Sequence, residues 1–184
     1  MDRFLQRKKA ILKKLDKSSK GDWDEKIISL CDKINSNDNY YTTSSCSGRI
    51  IIMKDVVKKG KGLFLKVSHD LVKEDYFLDL KLPKKGNVKF KTEPVIFHIV
   101  CRDLDSARKL IDRAHSVGWK RVGIISLGKN IIVEISGTEK IEFVLAEDGR
   151  ILTDEEFLGV NLEKANNNLE RGWENIGKLR REFK

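Results

Sequence analysis

The sequence predicts an α+β protein in which mixed or antiparallel sheets are flanked by helices, and three patterns carry that prediction. Val88, Phe90 and Thr92 alternate with Lys89, Lys91 and Glu93, and Ile131, Val133, Ile135 and then Ile141, Phe143, Leu145 repeat the same period of two, which marks half-buried strands. Leu104, Ala107, Leu110, Ile111 and Ala114 fall at helical spacing, as do Leu158, Leu162, Ala165, Leu169, Trp173 and Ile176. No glycine-rich loop follows a first strand, so the chain does not read as a Rossmann-type fold. There is no repeat and no low-complexity linker. The whole chain reads as a single domain, residues 1–184, that allows two interlocked subdomains, 1–92 and 93–184, whose junction is a natural place for a cleft.

Taken in order, residues 2–15 read as a helix with Phe4, Leu5, Ile11, Leu12 and Leu15 on one side. Arg7, Lys8, Lys9, Lys13 and Lys14 crowd the remainder, as a solvated face or as a contact for a polyanion. Residues 17–22 break this helix, and Ser19 or Asp22 can cap the next, whose stripe is Trp23, Ile27, Leu30, Cys31 and Ile34. Residues 49–57 and 63–68 form a hairpin around a basic turn at 58–62. Residues 69–82 carry no clear period and read either as a short helix or as a loop that crosses over. The nearly continuous apolar run 95–101 reads as a central strand buried on both faces, with His98 the odd residue in its middle.

Asp103 caps a helix over 104–117 that Gly118 ends, and 119–127 is a strand, so 95–127 reads as a strand–helix–strand crossover. Asp148-Gly149 supplies a tight hairpin turn. Thr153 with Glu156 reads as a capping box for the last helix. Gly159, Gly172 and Gly177 each weaken that helix by about 1 kcal/mol relative to alanine, so packing must hold it.

Composition narrows the partners. The 184 residues carry a formal charge of +9, which favours a polyanion over an acidic membrane surface. No apolar run approaches the roughly 20 residues that span a bilayer, and the first residues lack a signal-peptide layout. Cys31, Cys46 and Cys101 are far apart and lack metal-ligand spacing, so a reduced cytosol without a zinc site is the expectation. Abundant Lys, Ile and Glu with Gln6 as the only glutamine hints at a thermophilic source.

The densest chemistry lies at Tyr40-Tyr41-Thr42-Thr43-Ser44-Ser45-Cys46-Ser47-Gly48-Arg49, just before the apolar Ile50-Ile51-Ile52-Met53. Small hydroxyl residues and glycine let backbone approach an anion closely, and Arg49 adds a planar fork for carboxylate or phosphate. A Ser/Thr-rich turn leading into a strand accounts for the same composition. Thr42 to Ile50 resembles the hallmark of the tRNA wybutosine-synthesis methyltransferase family in its compact archaeal form. Leu15 to Gly21, Ile34-Asn35-Ser36, Phe90 to Pro94 with His98, and Ala165-Asn166 resemble the family's other blocks, in order along nearly the whole chain. Asn39 and Val122 depart from its pattern.

That resemblance implies methyl transfer from S-adenosylmethionine to a ring nitrogen (N-4) of the aminocarboxypropyl-bearing demethylated wyosine base beside the anticodon of phenylalanine tRNA. It makes Ser45, Ser47 and Arg49 candidates to hold the donor carboxylate or the charged tail of the substrate. It makes Lys20 and Lys91 candidates for substrate contact, and Glu93 and His98 candidates for acid/base work. The five-residue spacing of Glu93 and His98 puts them on opposite faces of an ideal strand unless Pro94 bends the chain. A sulfonium methyl is already activated, so no side-chain nucleophile and no metal is expected. The competing reading is a non-enzymatic RNA-binding module that stacks bases on Tyr40, Tyr41, Trp119 and Trp173; a further one keeps the fold as a small-molecule transferase with another substrate.

Overall fold

A computed structural model describes residues 2–13, 24–57, 60 and 62–183. Two antiparallel sheets and four α-helices make up these residues, which is the α+β class expected. The chain divides into two compact units, one of residues 1–47, 95–138 and 172–184, the other of 48–94 and 139–171. The cut at 94/95 lies two residues beyond the one read from the sequence. The crossings at 47/48, 138/139 and 171/172 make each unit discontinuous in the chain.

The first unit is built on a four-stranded sheet in the order β1 (Tyr40–Cys46), β5 (Ile96–Cys101), β7 (Ile131–Ser136), β6 (Arg121–Leu127). Every neighbour is antiparallel. β5 and β6 therefore run the same way with β7 between them, and α3 (Leu104–Ser116) makes the crossover. One face of this sheet, with Phe97, Ile99, Val133 and Ile135, is sealed by α2 (Glu25–Ser36), α3 and the last turns of α4 (Glu155–Glu182) through Ile27, Leu30, Ile34, Leu110, Ile176, Leu179 and Phe183. β5 is central as expected, but its second face is buried only in part: Ile96 and His98 on it are half-exposed, whereas Val100 is buried.

Local chemistry sets the helix ends. Asp103 Oδ1 accepts the Ser106 amide at 2.7 Å, and Gly118 takes φ 93° beyond the far end. Leu104, placed on the buried stripe from its spacing, is 58% exposed. In α1 (Arg3–Leu12) the cations are not one solvated face. Lys8 is 7% exposed and donates to Asn37 O at 2.7 Å, and burial pushes its ammonium below the usual lysine range against the pull of Asp38. Arg7 bonds the Asn130 side chain and Lys129 O. Lys14, Leu15, Ser19, Asp22 and Trp23, on which other expectations rest, lie outside the described residues.

The second unit has a five-stranded sheet in the order β3 (Phe64–Ser68), β2 (Arg49–Lys54), β4 (Asn87–Glu93), β8 (Ile141–Glu147), β9 (Arg150–Ile151). The expected β2–β3 hairpin forms, with a bulge between Ile52 and Met53. Val88, Phe90 and Thr92 are all buried and the intervening residues half-exposed, as their alternation required. A 3-10 helix, Glu74–Phe77, occupies the stretch without a period. Its Tyr76 hydroxyl donates to Ile50 O at 2.9 Å, and Phe77, Phe90 and Phe143 pack in series at 5.7 and 5.1 Å. Asp148 and Gly149, at φ 47° and 82°, make the β8–β9 turn. Asp154, not Thr153, caps α4: its Oδ1 accepts the Phe157 amide at 2.8 Å, while the Thr153 hydroxyl is buried without a partner.

Gly172 in α4 is required by contact. A Cβ there would meet Val95 Cγ2 at 2.6 Å, closer than side chains pack. The expected helix-weakening glycine is the one that lets the helix approach Val95, just before β5.

Candidate functional site

The hydroxyl-rich stretch is a strand, not a loop. Tyr40 to Cys46 pairs with β5 along its length, with a bulge between Thr42 and Ser44. Its alternation is hidden because the first three residues are all buried. Tyr40 Oη donates to Ser106 O at 2.9 Å, and Asn35 bonds both the amide and the hydroxyl of Thr42. Tyr40, Tyr41 and Trp119 are 2%, 1% and 3% exposed, so these rings belong to the core and cannot stack a base. Trp173 is half-buried, its indole N–H given to Ser47 O at 3.1 Å and its ring 4.6 Å from Lys26 Nζ.

Ser47 closes β1. It is fully buried, and both its amide and its hydroxyl donate to Asp24 Oδ2, at 3.0 and 3.1 Å. Its hydroxyl is therefore committed to the turn. The Ser45 hydroxyl is buried with no hydrogen-bond partner. Gly48, at φ 90°, follows in a conformation that only glycine takes cheaply. Burial raises the Cys31 and Cys101 thiols to about 12, which makes both inert.

His98, in the same unit, stands opposite Glu134 on β7, and its Nε2 lies 2.9 Å from Glu134 Oε2. Thr43 Oγ1 donates to the His98 carbonyl at 3.2 Å. The histidine thus has the partner a half-buried imidazole needs, and the carboxylate fixes its ring.

In the second unit, Arg49, Ile51 and Met53 of β2 stand opposite Glu93, Lys91 and Lys89 of β4, so these residues share one face of the sheet. Arg49 Nε and Nη2 both reach Glu93 Oε2 at 2.7 Å, and Lys91 Nζ holds Glu93 Oε1 at 3.0 Å. About 30% of each of these three side chains is open to solvent. Burial alone would raise the Glu93 carboxyl, but Arg49 and Lys91 outweigh it and hold the group below the ordinary carboxylate range. A second cluster on the same face joins Lys89 to Glu142 at 3.0 Å and to Asp55 at 3.2 Å. The Arg49 guanidinium carbon is 5.5 Å from the centre of the Phe64 ring.

Of the residues singled out from sequence, Arg49, Lys91 and Glu93 are brought together, while Ser45, Ser47 and His98 belong to the other unit. Lys20 lies outside the described residues. Sequence reasoning missed Glu134 and Phe64. The alternation of β7 could have placed Glu134 on the face of His98; nothing local marks Phe64. Among the described residues, no helix is long and apolar enough to cross a membrane.

Residues 6–184 match the family described as Methyltransferase TYW3. Over 177 residues the chain is 38% identical to the tRNA(Phe) 7-((3-amino-3-carboxypropyl)-4-demethylwyosine(37)-N(4))-methyltransferase of Methanocaldococcus jannaschii, covering 93% of this chain and 92% of that protein. The first such enzyme of Pyrococcus furiosus is 40% identical over 164 residues, 87% of this chain and 84% of its own. The solved structure of the PH1069 protein from Pyrococcus horikoshii superposes with a TM-score of 0.88 at 38% identity, covering 97% and 92% of the two chains. A hypothetical protein from Aeropyrum pernix, at 22% identity and a TM-score of 0.75 over 87% of this chain and 96% of its own, shares the fold.

Proposed function

This chain belongs to the TYW3 methyltransferase family, and from that premise we propose that it methylates N-4 of the aminocarboxypropyl-demethylwyosine base of phenylalanine tRNA, with S-adenosylmethionine as donor. The observation that carries the residue assignment is the cluster Arg49–Glu93–Lys91. Both reactants end in an α-amino carboxylate, which presents one charge of each sign. The cluster offers both complements: a planar fork and an ammonium for the carboxylate, and Glu93 for the amino group. Its two cations and one anion leave an excess positive charge for a ligand acid. The residues therefore fit the group.

When bound, S-adenosylmethionine supplies an activated methyl on sulfur. The protein has to orient, desolvate and accept one proton. Arg49 and Lys91 hold the carboxylate. Glu93, kept ionised by its two cations, is a weak proton acceptor, so its role is to fix the Arg49 fork and to bind the amino group. His98, oriented by Glu134, is the residue assigned the proton. Ser47 positions the chain ahead of Arg49 through Asp24, and Ser45 is kept as a candidate donor although its hydroxyl is buried. The setting is the cytosol, in keeping with three cysteines that form no disulfide among the described residues.

Calorimetry tests the assignment. Wild-type protein is expected to bind S-adenosylmethionine, and Arg49→Ala to bind it at least tenfold more weakly, since a charge-assisted hydrogen bond is worth about 1.5–3 kcal/mol. Wild-type protein that binds RNA but has no affinity for S-adenosylmethionine would instead favour a pure RNA-binding module.

A further inference from the structure

The charge of the chain is not shared evenly. Residues 1–47, 95–138 and 172–184, the first unit, hold 21 Lys and Arg against 13 Asp and Glu, whereas the second unit holds 16 against 15. Counted over the described residues alone, the first unit keeps 17 against 11 and the second 13 against 15. A polyanion is therefore drawn to the first unit, whose sheet has a face that is open in part. α1 covers one end of that face, where the Phe4 ring lies 5.3 Å from that of Tyr41 and Val100 is buried. The next row across the sheet is Ser44, His98, Glu134 and Gly123, on β1, β5, β7 and β6 in turn. The His98 and Glu134 side chains are 28% and 33% open to solvent, and Gly123 is half-exposed.

Gly123 is the member of this row that the fold does not explain. A glycine inside a strand weakens it, and it belongs where the backbone must turn or where something must come close. Gly123 takes no left-handed φ, and a Cβ built on it would meet nothing within 4 Å. Packing is thus indifferent to a side chain here, in contrast to Gly172. What the missing side chain leaves clear is the sheet surface beside Glu134, next to the histidine assigned the proton. Arg121, two residues earlier and on the same face, is exposed and forms no ion pair among the described residues. It is a cation left for a phosphate. We propose that the base being methylated lies flat on this face, over Gly123 and against Glu134 and His98, with Arg121 beside it for the RNA backbone. The nitrogen that gives up the proton must reach His98, and that nitrogen belongs to the base. The excess cations of this unit likewise attract RNA and not a sulfonium donor. This rests on the reading that the protein methylates tRNA with His98 as proton acceptor.

The test uses the whole protein and two anticodon stem-loops of phenylalanine tRNA, one bearing the demethylated base and one abasic at that position. Wild-type protein should bind the first more tightly than the second. Gly123→Val should abolish that preference while keeping wild-type affinity for the abasic RNA and, by calorimetry, for S-adenosylmethionine. Its melting temperature should not fall, and single-turnover transfer should drop roughly 100-fold, the cost of about 1 Å of misplacement. Gly123→Ala, which adds one carbon where nothing stands within 4 Å, should fold as the wild type does and lose part of the preference. Arg121→Ala should weaken both RNAs alike and lower the slope of log affinity against log salt by about one contact. Equal binding of the two RNAs by the wild type, or an undiminished preference in Gly123→Val, would overturn the proposal. So would a loss of S-adenosylmethionine affinity with the RNA preference intact, since the donor would then occupy the face. A wild type that discriminates the two RNAs but transfers no methyl group would defeat the proposed reaction and leave the place of the base standing.

Discussion

A single missing carbon decides how closely α4 approaches Val95, the residue just before β5. Helix propensity favours alanine over glycine by about 1 kcal/mol, so Gly172→Ala should stabilise an unconstrained helix. The 2.6 Å approach of the added Cβ to Val95 Cγ2 reverses the sign. Overpacking of this kind costs about 1–3 kcal/mol. We expect Gly172→Ala to melt at lower temperature, and Val95→Ala to cost less in the Gly172→Ala background than in the wild type, measured as a double-mutant cycle. Additive effects would mean the helix sits farther from Val95. Glu93 offers a second residue-scale test. Its folded pKa is depressed, so its ionised form stabilises the fold at neutral pH, and that contribution is lost as the pH falls through the depressed value. Glu93→Gln should flatten the acid limb of a stability–pH curve. An unchanged acid limb would show that the Arg49 and Lys91 contacts do not persist in solution.

At the scale of elements, helix ends follow single side chains. Asp103→Ala removes the acceptor for the Ser106 amide and should cost about 1 kcal/mol, read from denaturant midpoints; Asp103→Ser should recover most of it. This cap, the Gly118 terminator, the Asp148-Gly149 turn and β4 were all legible, because each is set by residues adjacent in sequence. The strand Tyr40–Cys46 was not: three consecutive buried residues and a bulge erase the period of two, and hydroxyls read as turn formers. Lys8 escaped for the same reason in reverse. Its charge argued for solvent, whereas a carbonyl contributed from Asn37, far along the chain, lets it be buried. The candidate site divides likewise. Arg49 stood out by its neighbours in sequence, but its pairing with Glu93 depends on strand register across 44 residues.

At the scale of the molecule, the chain order is interleaved. β1 precedes the strand it pairs with by the whole of the other unit's first segment, and β8 returns to that unit after α3, β6 and β7. Each half, 1–92 or 93–184, therefore lacks strands that its sheet partners need. We expect neither half, expressed alone, to unfold cooperatively; a cooperative melt of either would show that its strands suffice. The formal charge of +9 acts on the partner instead of the fold. Affinity for tRNA should fall linearly with salt on log–log axes, and salt-indifferent binding would remove the basic surface from the account.

On the proposed reading, the cluster around Arg49 serves methyl transfer to tRNA. Single-turnover transfer from S-adenosylmethionine to phenylalanine tRNA bearing the demethylated base tests it, with Arg49→Ala, Arg49→Lys and thermal melts run beside the wild type. We expect transfer by the wild type, a rate at least about tenfold lower for a folded Arg49→Ala protein, and partial recovery in Arg49→Lys, whose point charge cannot reproduce the fork. No transfer by the wild type, or a near-normal rate from folded Arg49→Ala, would contradict it.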